Sequence, residues 1–284
     1  MARLGLLGIL EPDSSFQRRA RRETGLFFLP SAAENARQHS LAMTNASAHD
    51  FDRRASQYED HAPVQREAAA WLAEWLPDKI EGPALELGAG TGLFTRHLVG
   101  RARTLIASDA APRMVAAGIA ALPEAEWSVA DAATPPGARG YRWIFSCSLV
   151  QWLTDPADVF RSWHRVAAPR ARLLSGWFVR GTLAELFDAC PEAQPFVWRD
   201  ANEWTGLLEE AGWKTCRHET RQFLRRHTDS ATMLREIHNA GAMVPHRVGS
   251  GTLRRALRNY DHDHRDEAGV RSTFQFLRLE AVKL

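Results

Sequence analysis

Hydrophobic positions along this chain switch between a helical and an extended period from residue 47 onwards. Between residues 47 and 80 they recur every three or four positions, which predicts two amphipathic helices, one through Phe51 and Tyr58 and one after Pro63. Short apolar runs then alternate with helical patterns and predict strands at 84–87, 104–108, 127–130, 143–146 and 172–178. Strands joined by short helical crossovers predict a doubly wound, mostly parallel sheet.

The second half of the chain is less regular. Helical spacing at 182–190 and 202–211 precedes an alternating polar strand at 214–223, and the alternation at 272–282 predicts a last strand paired antiparallel with it. Two more helical patterns, at 233–240 and 253–260, lie between these strands. An insertion of that size inside a hairpin is too long to be a mere connection, so we interpret it as a cap over the substrate.

The chain divides into an N-terminal extension and one domain. Residues 1–46 carry no sustained periodicity, and we interpret them as a mis-called start upstream of Met43, with a transit peptide or a disordered tail as alternatives. Residues 47–284 form the domain, with lid helices at 47–80, a core at 84–223, a cap insertion at 224–268 and a last strand at 270–283. A chain of 284 residues with 45% hydrophobic content can bury a full core.

Composition narrows the functional classes. A net charge of +2 argues against a general nucleic-acid binder, and no run approaches the roughly 18 apolar residues that a membrane span needs. Cys147, Cys190 and Cys216 are far apart and lack metal-ligand spacing, so a protein of the reducing cytoplasm without a zinc site is expected. The cluster Asp261–His264 is interpreted as a solvated turn, because ligands two residues apart in a polar loop make a poor metal site.

Three glycines interrupt the pattern directly after the strand at 84–87. Gly88, Gly90 and Gly92 open a turn in which a ligand could lie almost against the backbone, since glycine has no Cβ and tolerates positive φ. A dinucleotide fingerprint would need its third glycine at the position of Leu93, so the spacing argues against NAD. A glycine-rich turn without any ligand is the alternative.

Two acidic residues end the following strands. Asp109 stands 17 residues beyond Gly92, close to the separation at which an acid accepts hydrogen bonds from ribose hydroxyls, and Asp131 follows the next strand. Asp109 could also cap the following helix, and this role is compatible with ribose binding. Ligands of parallel sheets bind beyond the carboxyl ends of the strands, where these acids, the glycines and the segment 147–152 should meet.

The glycine spacing, together with Glu86, resembles the first motif of class I S-adenosylmethionine-dependent methyltransferases. Further stretches resemble the malonyl-acyl-carrier-protein O-methyltransferases of the biotin pathway, often called BioC, over about residues 48–282. These stretches are Phe51–Tyr58 with His61–Gln65, Ser146–Trp152, Gly181–Leu186, Leu234–Ile237, the region of Tyr260, and Gly269–Phe274. The chain departs from the family pattern at Cys147, where Asn is usual, at His238–Ala240, where Gly-Ala-Thr is usual, and at Gly176–Phe178.

The resemblance implies a Rossmann-like class I methyltransferase fold: a seven-stranded, mostly parallel sheet with an antiparallel last strand and a helical cap insertion. It implies S-adenosylmethionine as the methyl donor and, as acceptor, the free carboxylate of malonyl-acyl carrier protein or malonyl-CoA, in an early step of biotin biosynthesis. The alternatives are methylation of another small acid, amine or phenol, and a non-catalytic assembly protein with this fold. A monomer without nucleic-acid or membrane partners is expected.

The resemblance also implies site residues. The cofactor-binding set comprises Tyr58, Gln65, Glu86, Gly88, Ala89, Gly90, Gly92, Asp109, Ala110, Asp131, Ala132 and Ser146. Tyr58 and Gln65 should close over the methionine end of the cofactor, while Arg180 or Arg247 could hold the substrate carboxylate by a forked pair. A carboxylate acceptor is already ionised at neutral pH, so neither a catalytic histidine nor a metal is expected.

For Trp152 a core position and a ligand contact are both open. Arg254, Arg255 and Arg258 in the insertion could steer an acidic carrier, or form an ordinary charged helix face.

Overall fold

The computed structural model describes residues 49–137, 140–194, 198–241 and 248–284. Predictions for the extension 1–46 and for Arg247 therefore lie outside the described residues. The described chain forms one sheet of eight strands, and the order along it is β3-β2-β1-β4-β5-β8-β6, with the two-residue β7 paired to β8. The strands are β1 Ile80–Leu87, β2 Ala102–Asp109, β3 Glu126–Val129, β4 Tyr141–Cys147, β5 Ala167–Phe178, β6 Trp213–His227, β7 Arg265–Asp266 and β8 Gly269–Lys283.

Strand directions confirm the predicted fold class. Strands β1 to β5 run parallel to one another, and β8 lies antiparallel between β5 and β6. The seven longer strands are those that the resemblance implied, and β7 was not predicted. Strand β6 runs to His227, four residues beyond the predicted end at Phe223, because its polar residues Arg225 and Arg226 continue the ladder with β8.

Helices cover both faces of the sheet. Residues 49–54 are helical and continue through a 3₁₀ turn, Ala55–Gln57, into α1. The helices from there on are α1 Tyr58–His61, α2 Pro63–Ala73, α3 Thr95–Leu98, α4 Pro112–Ala121, α5 Pro156–Val166, α6 Ala184–Ala189, α7 Ala201–Glu210, α8 Ser230–Asn239 and α9 Ser250–His264. No helix in the described ranges is both long and apolar enough to cross a membrane.

Alternation along the strands divides the core between the two faces. Leu85 and Leu87 of β1 belong to the cluster that includes Trp163 of α5, whereas Ala84 belongs to the cluster beneath α2 with Leu72. Successive side chains of a strand point to opposite faces. Glu86 therefore lies on the α2 side, at the end of a strand whose last four residues are buried.

Local signals explain the element starts around this core. Helix α5 begins where Asp155 accepts a hydrogen bond from the backbone N–H of Asp158 at 3.0 Å and Pro156 occupies the first turn. Its apolar stripe buries Phe160 and Trp163 completely, and burial of one such aromatic side chain contributes about 2–3 kcal/mol. Helix α5 is thereby packed firmly against one face of the sheet.

A third cluster joins helices α8 and α9, which lie in the predicted cap insertion, to the end of the sheet. Met233 and Ile237 of α8 and Tyr260 of α9 pack with Phe274 and Phe276 of β8. The Tyr260 hydroxyl donates to the backbone oxygen of Arg271 at 2.5 Å. The two cap helices are thus packed onto the antiparallel strands, next to the carboxyl end of β5.

Candidate active site

The larger cavity, of about 430 Å³, lies at the carboxyl ends of β1, β2 and β4. We call it the nucleoside cavity. Its walls come from the lid segment, the glycine turn, the ends of β2 and β3 and the loop after β4. The lining residues are Phe51, Tyr58, Gln65, Glu86, Gly88, Ala89, Gly90, Leu93, Phe94, Asp109, Ala110, Met114, Val129, Ala130, Asp131, Ala132, Cys147, Ser148, Leu149, Trp152 and Leu153.

The glycine turn brings bare backbone to the cavity. Gly88 has a φ of +69° and Gly90 a φ of +57°, which glycine adopts without strain. A Cβ added at Gly90 would meet no protein atom within 4 Å, so the space in front of this residue is open. A Cβ at Gly88 would lie 2.8 Å from Leu149, so this glycine lets the loop after β4 approach the turn.

Asp109 fastens the glycine turn to the start of α4. Its Oδ2 accepts a hydrogen bond from the Gly90 N–H at 2.9 Å, and its Oδ1 accepts one from the Ala111 N–H at 2.9 Å. Burial raises the pKa of Asp109, and the two backbone N–H groups act in the opposite direction. The carboxylate is therefore fixed in position at the cavity wall by two flanking segments.

Glu86 places a buried carboxyl group in the same wall. The side chain is 1% exposed, and its Oε2 has no hydrogen-bond partner within the described part of the protein. Burial raises the pKa of Glu86 to about 8, and the nearby charge of Asp109 adds to the effect. Thr95 acts in the opposite direction and lowers the pKa. Ionisation of a buried carboxyl group with an unpaired oxygen is costly, so a cationic ligand group beside Oε2 would be favourable.

Residues 49–61, which belong to the predicted lid and are called the lid segment below, contribute Phe51 and Tyr58 to the cavity wall. Glu59 Oε1 accepts hydrogen bonds from Thr91 Oγ1 at 3.1 Å and from Arg96 Nη2 at 2.9 Å, which ties the lid to the glycine turn. Asp52 accepts one from the Arg113 N–H at 2.7 Å, which ties it to α4. These hydrogen bonds connect the lid segment to the glycine turn and to α4.

Aromatic rings of the lid meet the loop after β4. The Phe51 ring packs edge-on against Trp152, with centroids 5.4 Å apart, and against Tyr58 at 6.1 Å. Burial raises the pKa of Tyr58, and the negative charge of Asp109 contributes in the same direction. The Tyr58 hydroxyl therefore stays protonated and can donate a hydrogen bond, but it cannot act as a base.

A second, smaller cavity of about 30 Å³ shares part of this aromatic wall. We call it the acceptor cavity. Its lining residues are Phe51, Tyr58, Gln65, Ser148, Gln151, Trp152, Phe178, Thr182, Leu183, Trp198, Ala240 and Phe274. Among these described residues there is no acidic or basic side chain. Five of them, Phe51, Tyr58, Gln65, Ser148 and Trp152, also line the nucleoside cavity.

The structure brings most of the predicted cofactor residues together. Ten of the twelve line the nucleoside cavity, and the two exceptions are Gly92 and Ser146. Gly92 lies behind the turn, where a Cβ would meet Leu122 at 2.7 Å. Ser146 is fully buried inside β4. These two residues shape the turn and the strand rather than the cavity surface.

Arg180 lines neither cavity. Its guanidinium is exposed and pairs with Asp200 Oδ2 at 3.1 Å and Glu203 Oε2 at 2.7 Å. It also donates to the backbone oxygen of Trp198 at 3.2 Å. These contacts attach β5 to the start of α7, so Arg180 would have to leave two acids before it could hold a substrate carboxylate. The other predicted arginine, Arg247, lies outside the described residues.

Several cavity residues had not been predicted from the sequence. Met114 of α4, Val129 at the end of β3 and Leu153, one residue beyond the predicted segment 147–152, line the nucleoside cavity although no motif singled them out. Trp152 is half-buried and lies in the wall of both cavities, and its contact with a ligand stays a prediction. Cys147 also faces the nucleoside cavity, and burial raises its pKa to about 12, so its thiol stays protonated.

A Ser–His–Glu arrangement lies outside both cavities. His227 contacts Glu236 Oε2 through Nδ1 at 2.6 Å and Ser272 Oγ through Nε2 at 2.8 Å, the order of contacts in a hydrolytic triad. Ser272, however, is fully buried in β8, so no substrate could reach its hydroxyl. The arrangement fastens β6, β8 and α8 together.

Comparison with known proteins agrees with this geometry. Residues 85–175 match the family model described as a methyltransferase domain. The malonyl-(acyl-carrier protein) O-methyltransferase of Halorhodospira halophila is 30% identical over 204 residues, 68% of this chain and 69% of that protein. The enzyme of the same name from Hahella chejuensis is 29% identical over 244 residues, 80% of this chain and 86% of that protein.

The biotin biosynthesis bifunctional protein BioHC of Cellvibrio japonicus is 31% identical over 58% of this chain, which spans only a third of that longer protein. Among solved structures, the YcgJ protein of Bacillus subtilis superposes with a TM-score of 0.59 at 12% identity, over 76% of this chain and 98% of that one. The [4+2]-cyclase SpnF superposes with a TM-score of 0.52 at 17% identity, over 77% and 81%. These two similarities establish the fold alone.

The parallel sheet with its antiparallel last strand, the glycine turn and the matched domain define a class I S-adenosylmethionine-dependent methyltransferase. Within that class, the chain belongs to the malonyl-acyl-carrier-protein O-methyltransferase family. The non-catalytic alternative is set aside, because the chain belongs to a family of enzymes and retains a cavity of nucleoside size.

Proposed function

We propose that this enzyme methylates the free carboxylate of a malonyl group carried by acyl carrier protein or CoA, giving the methyl ester, as an early step of biotin biosynthesis. The extent of the alignment carries this proposal. The Hahella relative aligns over 244 residues, whereas the general methyltransferase domain accounts only for residues 85–175. The likeness therefore reaches beyond the core, into the lid or cap regions that surround the acceptor cavity.

The residues of the nucleoside cavity fit S-adenosylmethionine. Glu86, buried and without a partner on Oε2, would bind the methionine ammonium group, and Asp109 at the end of β2 would accept hydrogen bonds from the ribose hydroxyls. Asp131 and Ala132, after β3, would meet the adenine edge, and the open space before Gly90 would let the ligand approach the backbone.

Once bound, S-adenosylmethionine supplies a methyl group on a positively charged sulfur, which keeps the electron pair of the carbon–sulfur bond as the acceptor oxygen bonds to carbon. No proton is released when the acceptor is a carboxylate, so the protein needs no general base. Tyr58 and Trp152, which line both cavities, would orient the acceptor and exclude water.

The domain division belongs to the same proposal. Residues 47–80 would act as the lid and 224–268 as the substrate cap over the core at 84–223, with the last strand at 270–283. Two contacts support a joint closure of lid and cap. Arg54 Nη1 donates to the backbone oxygen of His238 on α8, and the Phe51 ring lies so close to Gly241 that a Cβ there would be 2.4 Å from it. The acceptor cavity lies where lid, cap and β8 meet.

One observation favours a different acceptor. Cationic side chains are missing from the described walls of the acceptor cavity, although a malonyl carboxylate is anionic. A small phenol or amine would also suit neutral walls with aromatic residues. The protonated Tyr58 hydroxyl could donate a hydrogen bond to such an acceptor or to a carboxylate.

Methyl transfer assays separate these candidates. Purified enzyme with labelled S-adenosylmethionine should methylate malonyl-acyl carrier protein, and free malonate poorly if at all. In cells, residues 43–284 should restore growth without biotin to a host whose malonyl methyltransferase gene is deleted. Transfer to small phenols or amines with none to malonyl thioesters would overturn the proposal in favour of the second candidate.

A further inference from the structure

Helix α9 presents three arginines on one exposed face. Arg254, Arg255 and Arg258 fall within about 100° of the helix circumference, because position 258 projects between the other two. All three side chains are exposed. Across the described ranges, no acidic side chain or hydrogen-bond acceptor pairs with any of the three guanidinium groups. We call these residues the arginine stripe.

The stripe is not explained by the stability of the helix. Like charges four residues apart, as at Arg254 and Arg258, destabilise a helix slightly. The acids of α9 that could offset them lie in its last turn. There Asp261 already accepts a hydrogen bond from the Ser230 N–H at 2.9 Å and pairs with Arg265 at 3.3 Å. The local positive charge therefore stays available to an anionic partner.

The opposite face of α9 leads to the acceptor cavity. Ala256 and Tyr260 are buried in the cluster that contains Phe178, Leu183 and Phe274, and these last three residues line that cavity. Only the thickness of one helix, about 10 Å, lies between the stripe and this cluster. A partner bound at the stripe could thus reach the acceptor cavity with a long, flexible prosthetic arm.

We propose that the arginine stripe docks the acidic surface of the carrier protein that holds the acyl group. The inference rests on the proposed function, which it deepens by naming where the carrier binds. Opposite charges on the two surfaces raise the rate at which the proteins associate and fix their relative orientation, but they take no part in methyl transfer. Loss of the stripe should therefore weaken use of the carrier-bound substrate and spare the reaction itself.

Charge reversal with two substrates tests the proposal. The triple variant Arg254→Glu, Arg255→Glu, Arg258→Glu should raise KM for malonyl-acyl carrier protein at least tenfold and change kcat less than twofold. With the malonyl thioester of N-acetylcysteamine, a short uncharged carrier, its KM should stay within twofold of the wild type. Rising salt should increase the wild-type KM for the protein substrate and have a smaller effect on the variant.

A matched control sits at the other edge of the sheet. Arg103, Arg142 and Arg165 are also exposed, lie near the amino ends of β2, β4 and β5, and have no hydrogen-bond or ion-pair partner in the described part of the chain. Their conversion to Glu changes the net charge equally, and KM for the carrier protein should rise less than threefold. Circular dichroism and thermal unfolding should be alike for both triple variants, and the milder Arg→Gln triple variant of the stripe should give an intermediate KM.

The possible failures are distinguishable. If the wild type methylates neither malonyl substrate, the proposed function falls and this inference falls with it. If it methylates both while the stripe variant behaves like the wild type or like the control, only the docking inference is overturned. An equal loss with both substrates would also overturn it, as would an effect confined to self-association or to binding of anionic phosphatidylglycerol vesicles.

Discussion

The two cavities differ in how their walls are built. In the nucleoside cavity the polar groups Glu86, Asp109 and Asp131 stand at or just beyond the ends of neighbouring strands, and backbone N–H groups hold Asp109 in place. Among the described residues, those that line the acceptor cavity carry no charge, and half of them are aromatic. They come from the lid segment, α2, the loop after β4, the end of β5 and the segment beyond it, the residue after α8, and β8. Strand ends therefore supply the polar groups of the first cavity, whereas the second is assembled from segments that are far apart in the sequence.

The largest effect should come from the carboxylate that joins two walls of the nucleoside cavity. Asp109→Ala removes the proposed ribose ligand and leaves the Gly90 and Ala111 N–H groups without their partner, at a cost of about 1–3 kcal/mol for each buried group. We expect affinity for S-adenosylmethionine to fall at least 100-fold in calorimetry. Asp266→Ala removes another carboxylate that accepts from a backbone N–H, that of Ala268, and Asp266 lines neither cavity, so this variant should keep that affinity within twofold of the wild type. Unchanged affinity in Asp109→Ala would contradict the proposed site.

The next effect concerns the buried charge of Glu86. Glu86→Gln should weaken S-adenosylmethionine binding about 10- to 100-fold at pH 8, because a charge-assisted hydrogen bond contributes roughly 1.5–3 kcal/mol. Wild-type affinity should decline as pH falls below about 8, where Glu86 takes up a proton, and the variant should lack this decline. A pH profile shared by both proteins would exclude Glu86 as the ammonium ligand.

The raised pKa of Glu86 also affects stability. Glu86→Gln should weaken cofactor binding but stabilise the unliganded enzyme. Folding raises the pKa of Glu86 to about 8, so its contribution to the stability of the unliganded enzyme is full at low pH and is lost as pH rises towards 8. Relative to the wild type, Glu86→Gln should therefore gain up to about 1.4 kcal/mol of unfolding free energy per pH unit between pH 5 and 8. Urea unfolding at several pH values measures this. A constant difference would show that Glu86 stays ionised in the folded protein.

A substitution in the acceptor cavity should affect binding of the acyl substrate but not binding of the cofactor in the nucleoside cavity. Ala240 lines the acceptor cavity but not the nucleoside cavity. The larger side chain of Ala240→Leu should fill most of the roughly 30 Å³ of the acceptor cavity. We expect KM for the acyl substrate to rise about tenfold, with S-adenosylmethionine affinity within twofold of the wild type. Ala201→Leu at the start of α7 is a size-matched control, which should alter neither quantity. Loss of cofactor affinity in Ala240→Leu would mean that the cavities are not functionally separate.

The smallest effect should come from the lid contact at Glu59. Glu59→Gln weakens the pair with Arg96, and exposed pairs of this kind contribute about 0–1 kcal/mol. S-adenosylmethionine should therefore bind two- to fivefold more weakly, mainly through faster dissociation in stopped-flow measurements, because the lid opens more readily. Glu67→Gln serves as the control, because it weakens a comparable ion pair between Glu67 of α2 and Arg225 of β6. Equal dissociation rates in all three proteins would refute a closing role for Glu59.

The same division explains how much could be predicted from the sequence. Strand ends are predictable from local patterns, and parallel strands bring their ends to one edge, so Glu86, Asp109 and Asp131 were placed together correctly. Arg180 was expected near the substrate because it follows β5, but its partners Asp200 and Glu203 stand 20 and 23 residues further along the chain. No local pattern indicates such a pairing. For the same reason the acceptor cavity, assembled from distant segments, was not predicted as a whole.

The central claim is that the nucleoside cavity holds the methyl donor with its sulfur directed at the shared aromatic wall and the acceptor cavity beyond. A crystal structure of the enzyme with S-adenosylhomocysteine tests this most directly. We expect to find the ribose on Asp109, the amino group beside Glu86, and the sulfur facing Tyr58 and Trp152. A ligand bound elsewhere, or one whose sulfur points away from these two rings, would contradict it.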